Sequence, residues 1–201
     1  MIRRILKVVE GVATRCLGAF LLLLVRQVRY VYVAEFASLI PFSLGDAVRY
    51  YFYKKTLLEC GDNVIISFGT IISERKSRLG SNIYLGTYII IGTTDIRDYT
   101  MISSGCHIPS GSQQHGVDRT DVPMMHQDGK ALCVSIGPDV WIGVNSTVLA
   151  DVGRGCVVGA GSVVVRPVPD WSIAAGNPAR TIRRRKASQA PEVQCSGPTV
   201  P

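Results

Sequence analysis

The sequence has no long uninterrupted apolar run. Of its 201 residues 47% are hydrophobic, yet the longest apolar stretch, residues 16–25, is bracketed by Arg15 and Arg26. A membrane-spanning helix needs roughly 18 to 20 such residues, so a polytopic membrane protein is excluded. The length suits one domain with short appendages, and the apolar content excludes disorder along the whole chain.

Charged residues are also scarce, at 18% of the chain against an average of about 25%. The net charge is nevertheless +7. Aromatic residues do not alternate with the basic ones, as they would in a nucleic-acid-binding protein, so we expect no nucleic-acid partner. The basic residues form two clusters, Arg3, Arg4, Lys7, Arg15, Arg26 and Arg29 near one end and Arg180, Arg183, Arg184, Arg185 and Lys186 near the other.

The six cysteines include no CxxC pair and no metal-ligand spacing, which predicts buried or free thiols in a reducing compartment. The charged and apolar N-terminus resembles a signal peptide. However, "RQVRYVYVAEF" follows it where small residues would mark a cleavage site. We therefore expect a cytoplasmic protein.

Residues 1–57 have apolar positions at helical spacing and form a predicted helical segment, interrupted at Pro41 and resumed with Asp46 as a plausible cap. Two interpretations stay open. The segment is either a helical cap packed on the rest of the protein or an in-plane membrane anchor, with its Arg and Lys directed at anionic headgroups.

From Leu79 onward the periodicity changes to six, a period that neither a helix nor a simple strand produces. Each six-residue unit supplies a short strand and a turn, and three units close one coil of a parallel β-helix. The spacing shortens to five between Ile91 and Ile96 and to four between Val148 and Val152. The repeat is carried by Leu79, Leu85, Ile91, Ile96, Ile102, Ile108, Ile136, Ile142, Val148, Val152, Val158 and Val164.

The repeat is interrupted once, at residues 109–133. A loop of this length within a compact repeat is usually functional or disordered. The repeat domain is predicted to span residues 58–186, and residues 187–201, which contain few apolar side chains, are predicted to be a flexible tail.

The strings "IGPDVWIGVNSTVL", "VVGAGSVV" and "AAGNPARTIR" closely resemble the hexapeptide-repeat acyltransferases, and the resemblance covers roughly residues 58–185. It implies a mainly β fold, a left-handed parallel β-helix following the N-terminal helical segment. It also implies a homotrimer and acetyl-CoA as the acyl donor. The zinc-dependent carbonic anhydrases of this fold need three His ligands, and the spacings between His107, His115 and His126 do not fit them, so no metal is expected.

The resemblance assigns the catalytic base to His115, at the start of the loop. A base near neutral pKa can take the hydroxyl proton as oxygen attacks the thioester. Relatives often place Asp after this His, whereas this chain has Gly116. Either Asp118 or a backbone carbonyl is expected to orient the ring. On the acceptor side, galactoside-type relatives have an Asn where this chain has Gly92 followed by Thr93, Thr94 and Asp95.

The resemblance also implies how coenzyme A is bound. Trp141 would pack beside the thioester, and backbone near Gly143 and Val144 would donate an N–H to the developing oxyanion. Small residues would leave a groove for the pantetheine arm, and basic residues would contact the phosphates. These remaining positions are Ala160, Gly161, Arg166, Arg180 and Arg183.

The predicted function is an acetyl-CoA-dependent O-acetyltransferase acting on a sugar hydroxyl in surface polysaccharide biosynthesis, that is of lipopolysaccharide, capsule or exopolysaccharide. A peripheral position on the inner face of the cytoplasmic membrane would suit a lipid-linked glycan. The alternatives are N-acetylation of a nucleotide-linked amino sugar, acetylation of serine, and a non-catalytic β-helix scaffold.

Overall fold

The computed structural model describes residues 2–186, with the side chains of residues 9–186. The predicted tail lies outside the described residues. Three helices precede a parallel β-solenoid of about six coils, which confirms the predicted fold class. The helices are α1 (Ile2–Leu24), α2 (Tyr30–Ser38) and α3 (Phe42–Thr56).

Short strands form the three sides of the solenoid, each a parallel sheet that runs along the coils. Sheet 1 contains β1 (Glu59–Cys60), β4 (Arg78–Leu79), β7 (Thr94–Ile96) and β10 (Val134–Ile136). Sheet 2 contains β2 (Val64–Ile66), β5 (Ile83–Leu85), β8 (Met101–Ile102), β11 (Trp141–Ile142), β13 (Val157–Val158) and β15 (Ser172–Ala175), and ends with antiparallel β16 (Arg180–Arg184). Sheet 3 contains β3 (Ile71–Ile72), β6 (Ile90–Ile91), β9 (His107–Ile108), β12 (Thr147–Val148) and β14 (Val163–Val164).

The core of the solenoid is the column of aliphatic side chains that the hexad predicts. Each of the predicted positions from Leu79 to Val164 is at most 2% exposed. The column also extends beyond them in both directions. It begins at Cys60, Ile66 and Ile72, and it ends at Val168 and Ala174.

The last two coils are narrower on the side of sheet 1. Where the spacing falls to four, the strand is reduced to single bridges, from Ile136 to Val152 and from Val152 to Val168. Fewer residues on one side shorten the path around the coil, so sheet 1 ends earlier than sheets 2 and 3.

The helical segment packs on the first coil through a buried arginine. The Arg49 side chain is fully buried. Its guanidinium donates to the carbonyl of Ile66 in β2 (2.7 Å) and to that of Ile40 after α2 (2.8 Å), and it pairs with Asp46 (2.6 Å). Asp46 is therefore not a cap, because α3 begins earlier, at Phe42 after Pro41.

Helix α1 lies against α3. Leu17 and Leu21 pack into the core on this side of α1, and Gly18 allows the close approach. A Cβ added at Gly18 would lie 2.3 Å from the Tyr51 ring. No helix within residues 2–186 is long and apolar enough to cross a membrane.

Candidate active site

The interruption at residues 109–133 is a loop that leaves the solenoid after β9 and returns at β10. Its two arms are joined by backbone hydrogen bonds from Leu132 to Ser110 (2.8 Å) and from Lys130 to Gln113 (2.6 Å). Farther out, the Gln127 side chain donates to the carbonyls of Arg119 and Val122. The loop contains a 3-10 turn, Met124–His126. The excursion is thus an ordered hairpin-like arm.

Two glycines bring the arms together beside His115. A Cβ at Gly129 would lie 2.1 Å from the Gln114 carbonyl oxygen, and one at Gly116 would lie 2.8 Å from that of Asp128. Any larger residue at Gly129 would push the arms apart. The small residue after His115 therefore serves the folding of the loop.

His115 lines a shallow depression of about 420 Å³ within this arm. The depression also contains Asp118 and Asp128, together with Lys130. The His115 ring is exposed, and it makes no hydrogen bond with any residue between 9 and 186. Asp118 stays a candidate for orienting the ring. Asp128, which the sequence analysis did not consider, is a second candidate.

The other two histidines lie elsewhere. His107 is exposed on the outer face of sheet 3, in register with Ile90 and Thr147. His126 ends the 3-10 turn and does not line the depression. Of the three histidines, only His115 is placed among carboxylates and loop backbone.

The predicted acceptor-side threonines lie at the base of the loop. The backbone of Thr93 joins both ends of the loop, since its N–H donates to Ser110 (2.9 Å) and its carbonyl accepts from Val134 (3.1 Å). Thr94 is fully buried, and its hydroxyl is near the Gly92 carbonyl (3.4 Å). Thr93 is therefore the threonine that remains near the surface.

Asp95, the next residue of the same acceptor-side stretch, is half-buried in β7. One of its carboxylate oxygens pairs with Arg97 (2.6 Å), and the other is buried without a partner in the described part of the chain.

Small residues form the corner between sheets 2 and 3 on the fourth and fifth coils. We call Gly143, Val144, Ala160 and Gly161 the small-residue corner. A Cβ at Gly143 would lie 2.5 Å from the Ala160 nitrogen, so the coils are in close contact there. Gly161 has a φ of +66°, and a Cβ there would meet nothing within 4 Å. The two coils are thus in close contact at this corner, and the outer surface at Gly161 is open.

The corner offers backbone donors, although not the one at Gly143. The Gly143 N–H donates to the Val158 carbonyl (2.8 Å), and the Gly161 N–H to that of Val144 (2.8 Å). Within residues 9–186 the N–H groups of Val144 and Ala160 form no hydrogen bond. Of the two predicted oxyanion donors, the N–H of Val144 therefore remains available. The N–H of Ala160, on the next coil, is a second available donor.

Trp141 lies beside the small-residue corner on the outer face of sheet 2. Its side chain is 50% exposed, and its indole N–H donates to Ser103 (3.3 Å). It is in register with Met101 and Val157 on the neighbouring coils. The indole face is thus held in place and accessible.

The predicted phosphate-binding arginines occupy two places. Arg180 and Arg183 lie on β16, opposite Ala175 and Ile173, so Arg180 is at the end of sheet 2 that leads to the small-residue corner. Arg166 follows β14, at the opposite edge of sheet 3. All three are exposed and form no ion pair within residues 9–186.

The candidate residues therefore form two groups in one chain. The loop with His115 follows β9 at one edge of sheet 3, whereas Val144 precedes β12 at the other edge. Sheet 3 lies between them. Within residues 9–186 no hydrogen bond and no common depression joins His115 to Trp141 or to the small-residue corner.

Three of the five described cysteines are buried, and the described residues hold no cluster of metal ligands. Cys60, Cys106 and Cys156 are buried free thiols, and burial raises the pKa of each, that of Cys60 to about 11. No three His, Cys, Asp or Glu side chains are grouped as metal ligands between residues 9 and 186. Cys16 and Cys133 are exposed free thiols.

Sequence comparison relates this chain to acetyltransferases. No family model matches it. A probable acetyltransferase of Mycobacterium tuberculosis is 37% identical over 120 residues, which are 57% of this chain and 39% of that relative. The chain thus matches less than half of the relative's length.

Structure comparison gives the same class. A hexapeptide-repeat acetyltransferase from Vibrio cholerae is similar with a TM-score of 0.69 at 20% identity, over 78% of this chain and 89% of that one, which establishes the fold. An N-acyltransferase from Bacillus cereus, solved with dTDP and coenzyme A, has a TM-score of 0.53 at 25% identity, over 66% and 87% of the chains. These findings confirm the resemblance to hexapeptide-repeat acyltransferases.

Proposed function

We propose that this chain is an acetyl-CoA-dependent acetyltransferase that acts on a sugar hydroxyl, with His115 as the general base. The observation that carries the proposal is the small-residue corner with its two available N–H groups, in a fold shared with hexapeptide-repeat acetyltransferases. The acetyltransferase relative supports the reaction class. Surface polysaccharide biosynthesis remains the proposed context.

The donor side of the proposed site runs along the coils. A pantetheine arm is a narrow chain, and the outward opening at Gly161 accommodates it. Coenzyme A carries a 3′-phosphate and a pyrophosphate, and Arg180 on the last coil is an exposed cation beside the same corner. The residues present therefore suit this acyl donor.

The chemistry follows from the two groups. His115 accepts the proton of the acceptor hydroxyl while that oxygen attacks the thioester carbonyl. Negative charge then develops on the carbonyl oxygen, and the N–H of Val144 or Ala160 stabilises it. When the intermediate collapses, the carbon–sulfur bond breaks, and the proton passes from His115 to the departing thiolate.

The proposal includes a shared site in a homotrimer. Because His115 and the small-residue corner lie at opposite edges of sheet 3, the loop of one copy would have to meet the corner of a neighbour. A cyclic assembly repeats the same contact at each interface, which suits a site of this kind.

A second candidate is N-acylation of a nucleotide-linked amino sugar. The Bacillus cereus N-acyltransferase, solved with dTDP and coenzyme A, favours it. The two reactions need the same donor side and differ only in the acceptor. Acetyl transfer to an amino sugar, compared with transfer to a sugar that has only hydroxyl groups, distinguishes them.

The first experiment is a thermal-shift titration with acetyl-CoA, followed by acetyl transfer to a set of sugars and amino sugars. A ligand that binds only the native state adds about 2.7 kcal/mol of stability at a hundred times its Kd, so the midpoint should rise with concentration. A non-catalytic scaffold would show no rise and no transfer.

A further inference from the structure

The outer face of helix α1 is an apolar stripe that nothing in the described protein covers. We call it the α1 stripe: Val9, Val12, Cys16, Phe20 and Leu23. The spacing of three and four residues places these side chains on one face, and all are exposed, Leu23 by 60%. The stripe is about 21 Å long at 1.5 Å per residue.

The opposite face of the same helix is already used. It packs on α3 through Leu17 and Leu21, and a groove between α1 and α3 contains Glu10 and Arg15 beside Tyr50 and Tyr51. Packing on α3 therefore accounts for one face of α1. The α1 stripe points away from that contact and needs another explanation.

A cationic depression lies near the C-terminal end of α1. It has a volume of about 390 Å³ and is lined by three cations, Arg29, Arg75 and Lys76, and by one acid, Glu74, so that cations predominate in its lining. Within residues 9–186 none of these three cations forms an ion pair. The depression joins the start of α2 to the first coil of the solenoid.

The charge of this region indicates what covers the stripe. Six of the 22 Lys and Arg residues lie in the first 29 positions, with only one of the 15 Asp and Glu residues, so this segment carries +5 of the total +7. A second copy on the stripe would bring two such segments together, which like-charge repulsion disfavours. A negatively charged surface is attracted by the same charges.

We propose that the α1 stripe and the cationic depression dock this protein in the plane of a membrane that contains anionic phospholipid. The apolar side chains enter the boundary between headgroups and acyl chains, and Arg29 and Lys76 contact headgroup phosphates. The helix lies along the surface and does not span it. This inference is independent of the acetyltransferase proposal, since it uses none of its residues.

The test is sedimentation of the full chain with vesicles of phosphatidylcholine, with or without phosphatidylglycerol. We expect strong binding only with phosphatidylglycerol, weakened by salt. Leu23→Asp and Arg29→Glu should each lower the binding constant by about tenfold or more, since one loses apolar insertion and the other reverses a charge. Val165→Asp and Arg154→Glu, at exposed positions on a later coil of the solenoid, are the matched controls and should bind normally.

Two results would overturn the proposal. One is equal binding to both kinds of vesicle, or to neither. The other is normal vesicle binding by Leu23→Asp together with a change in its mass by light scattering without lipid, which would make the stripe a contact between copies. Neither result bears on acetyl transfer, which is measured separately with soluble donor and acceptor.

Discussion

His115 is distinguished from the other two histidines by what surrounds it. All three are exposed, but His107 lies on a flat strand face between Ile90 and Thr147, and His126 ends a short turn. His115 lies where Gly116 and Gly129 bring two chain segments together. This close approach places Asp118 and Asp128 in the same depression.

Replacement of His115 tests its role as the base. We expect His115→Ala to lose at least about a hundredfold in turnover, the lower end for removal of a general base, with little change in acetyl-CoA affinity. The measurement is acetyl transfer at saturating donor, alongside donor affinity. His126→Ala is the matched control, because it shares any general damage to the loop. An inactive His126→Ala beside an active His115→Ala would reverse the assignment.

Arg49 carries the contact between helices and solenoid. We expect Arg49→Leu to lower the free energy of unfolding by at least about 3 kcal/mol, because it leaves the buried carbonyls of Ile66 and Ile40 without a donor. Urea denaturation measures this change. Arg154→Leu, an exposed arginine, should change stability by no more than about 0.5 kcal/mol. Equal effects of the two substitutions would show that Arg49 is not the anchor.

At the scale of elements, the regular part of the fold follows from the sequence. Leu79 and its successors recur every six residues because each coil directs one aliphatic side chain inward per side. The predicted domain begins at residue 58, but the hexad is evident only from Leu79, because the spacing from Ile72 to Leu79 is seven. Cys60, Ile66 and Ile72 are themselves six apart, and small residues follow them.

The irregular features depend on contacts that a local pattern does not contain. Asp46 resembles a helix cap but pairs with the buried Arg49 inside α3. Thr94 is drawn into the core where the spacing falls to five. Asp128 is thirteen residues from His115 in the sequence, and only the folding of the loop brings the two together. Gly143 and Ala160, by contrast, lie on adjacent coils, so the repeat alone predicts that they come close together.

Strand β16 supplies the cations of the proposed phosphate site. We expect Arg180→Ala and Arg183→Ala to weaken coenzyme A binding by about tenfold or more, since a charge-assisted hydrogen bond is worth roughly 1.5–3 kcal/mol. The same substitutions should weaken binding of dephospho-coenzyme A, which lacks the 3′-phosphate, by a smaller factor. Calorimetry with both ligands measures the difference, and Arg184→Ala on the same strand is the control. If both ligands lost affinity equally, these arginines would support the fold or be solvated surface charges, and they would not contact the 3′-phosphate.

At the scale of the whole molecule, the two candidate groups lie on different edges of the same sheet. His115 belongs to the loop after β9, and Ala160 belongs to the corner before β14. Within residues 9–186 no hydrogen bond joins the two groups, and sheet 3 lies between them. A site shared between copies therefore predicts a stable trimer by light scattering. A fully active monomer would contradict the shared site.

The most direct test combines two inactive variants. His115→Ala removes the base, and Ala160→Trp fills the small-residue corner, where the alanine is exposed. Each variant alone should be inactive. Co-expressed in equal amounts, they should regain about a quarter of wild-type acetyl transfer, because an intact site needs the loop of one variant and the corner of the other. Mixed assemblies that form but stay inactive would contradict a site shared between copies.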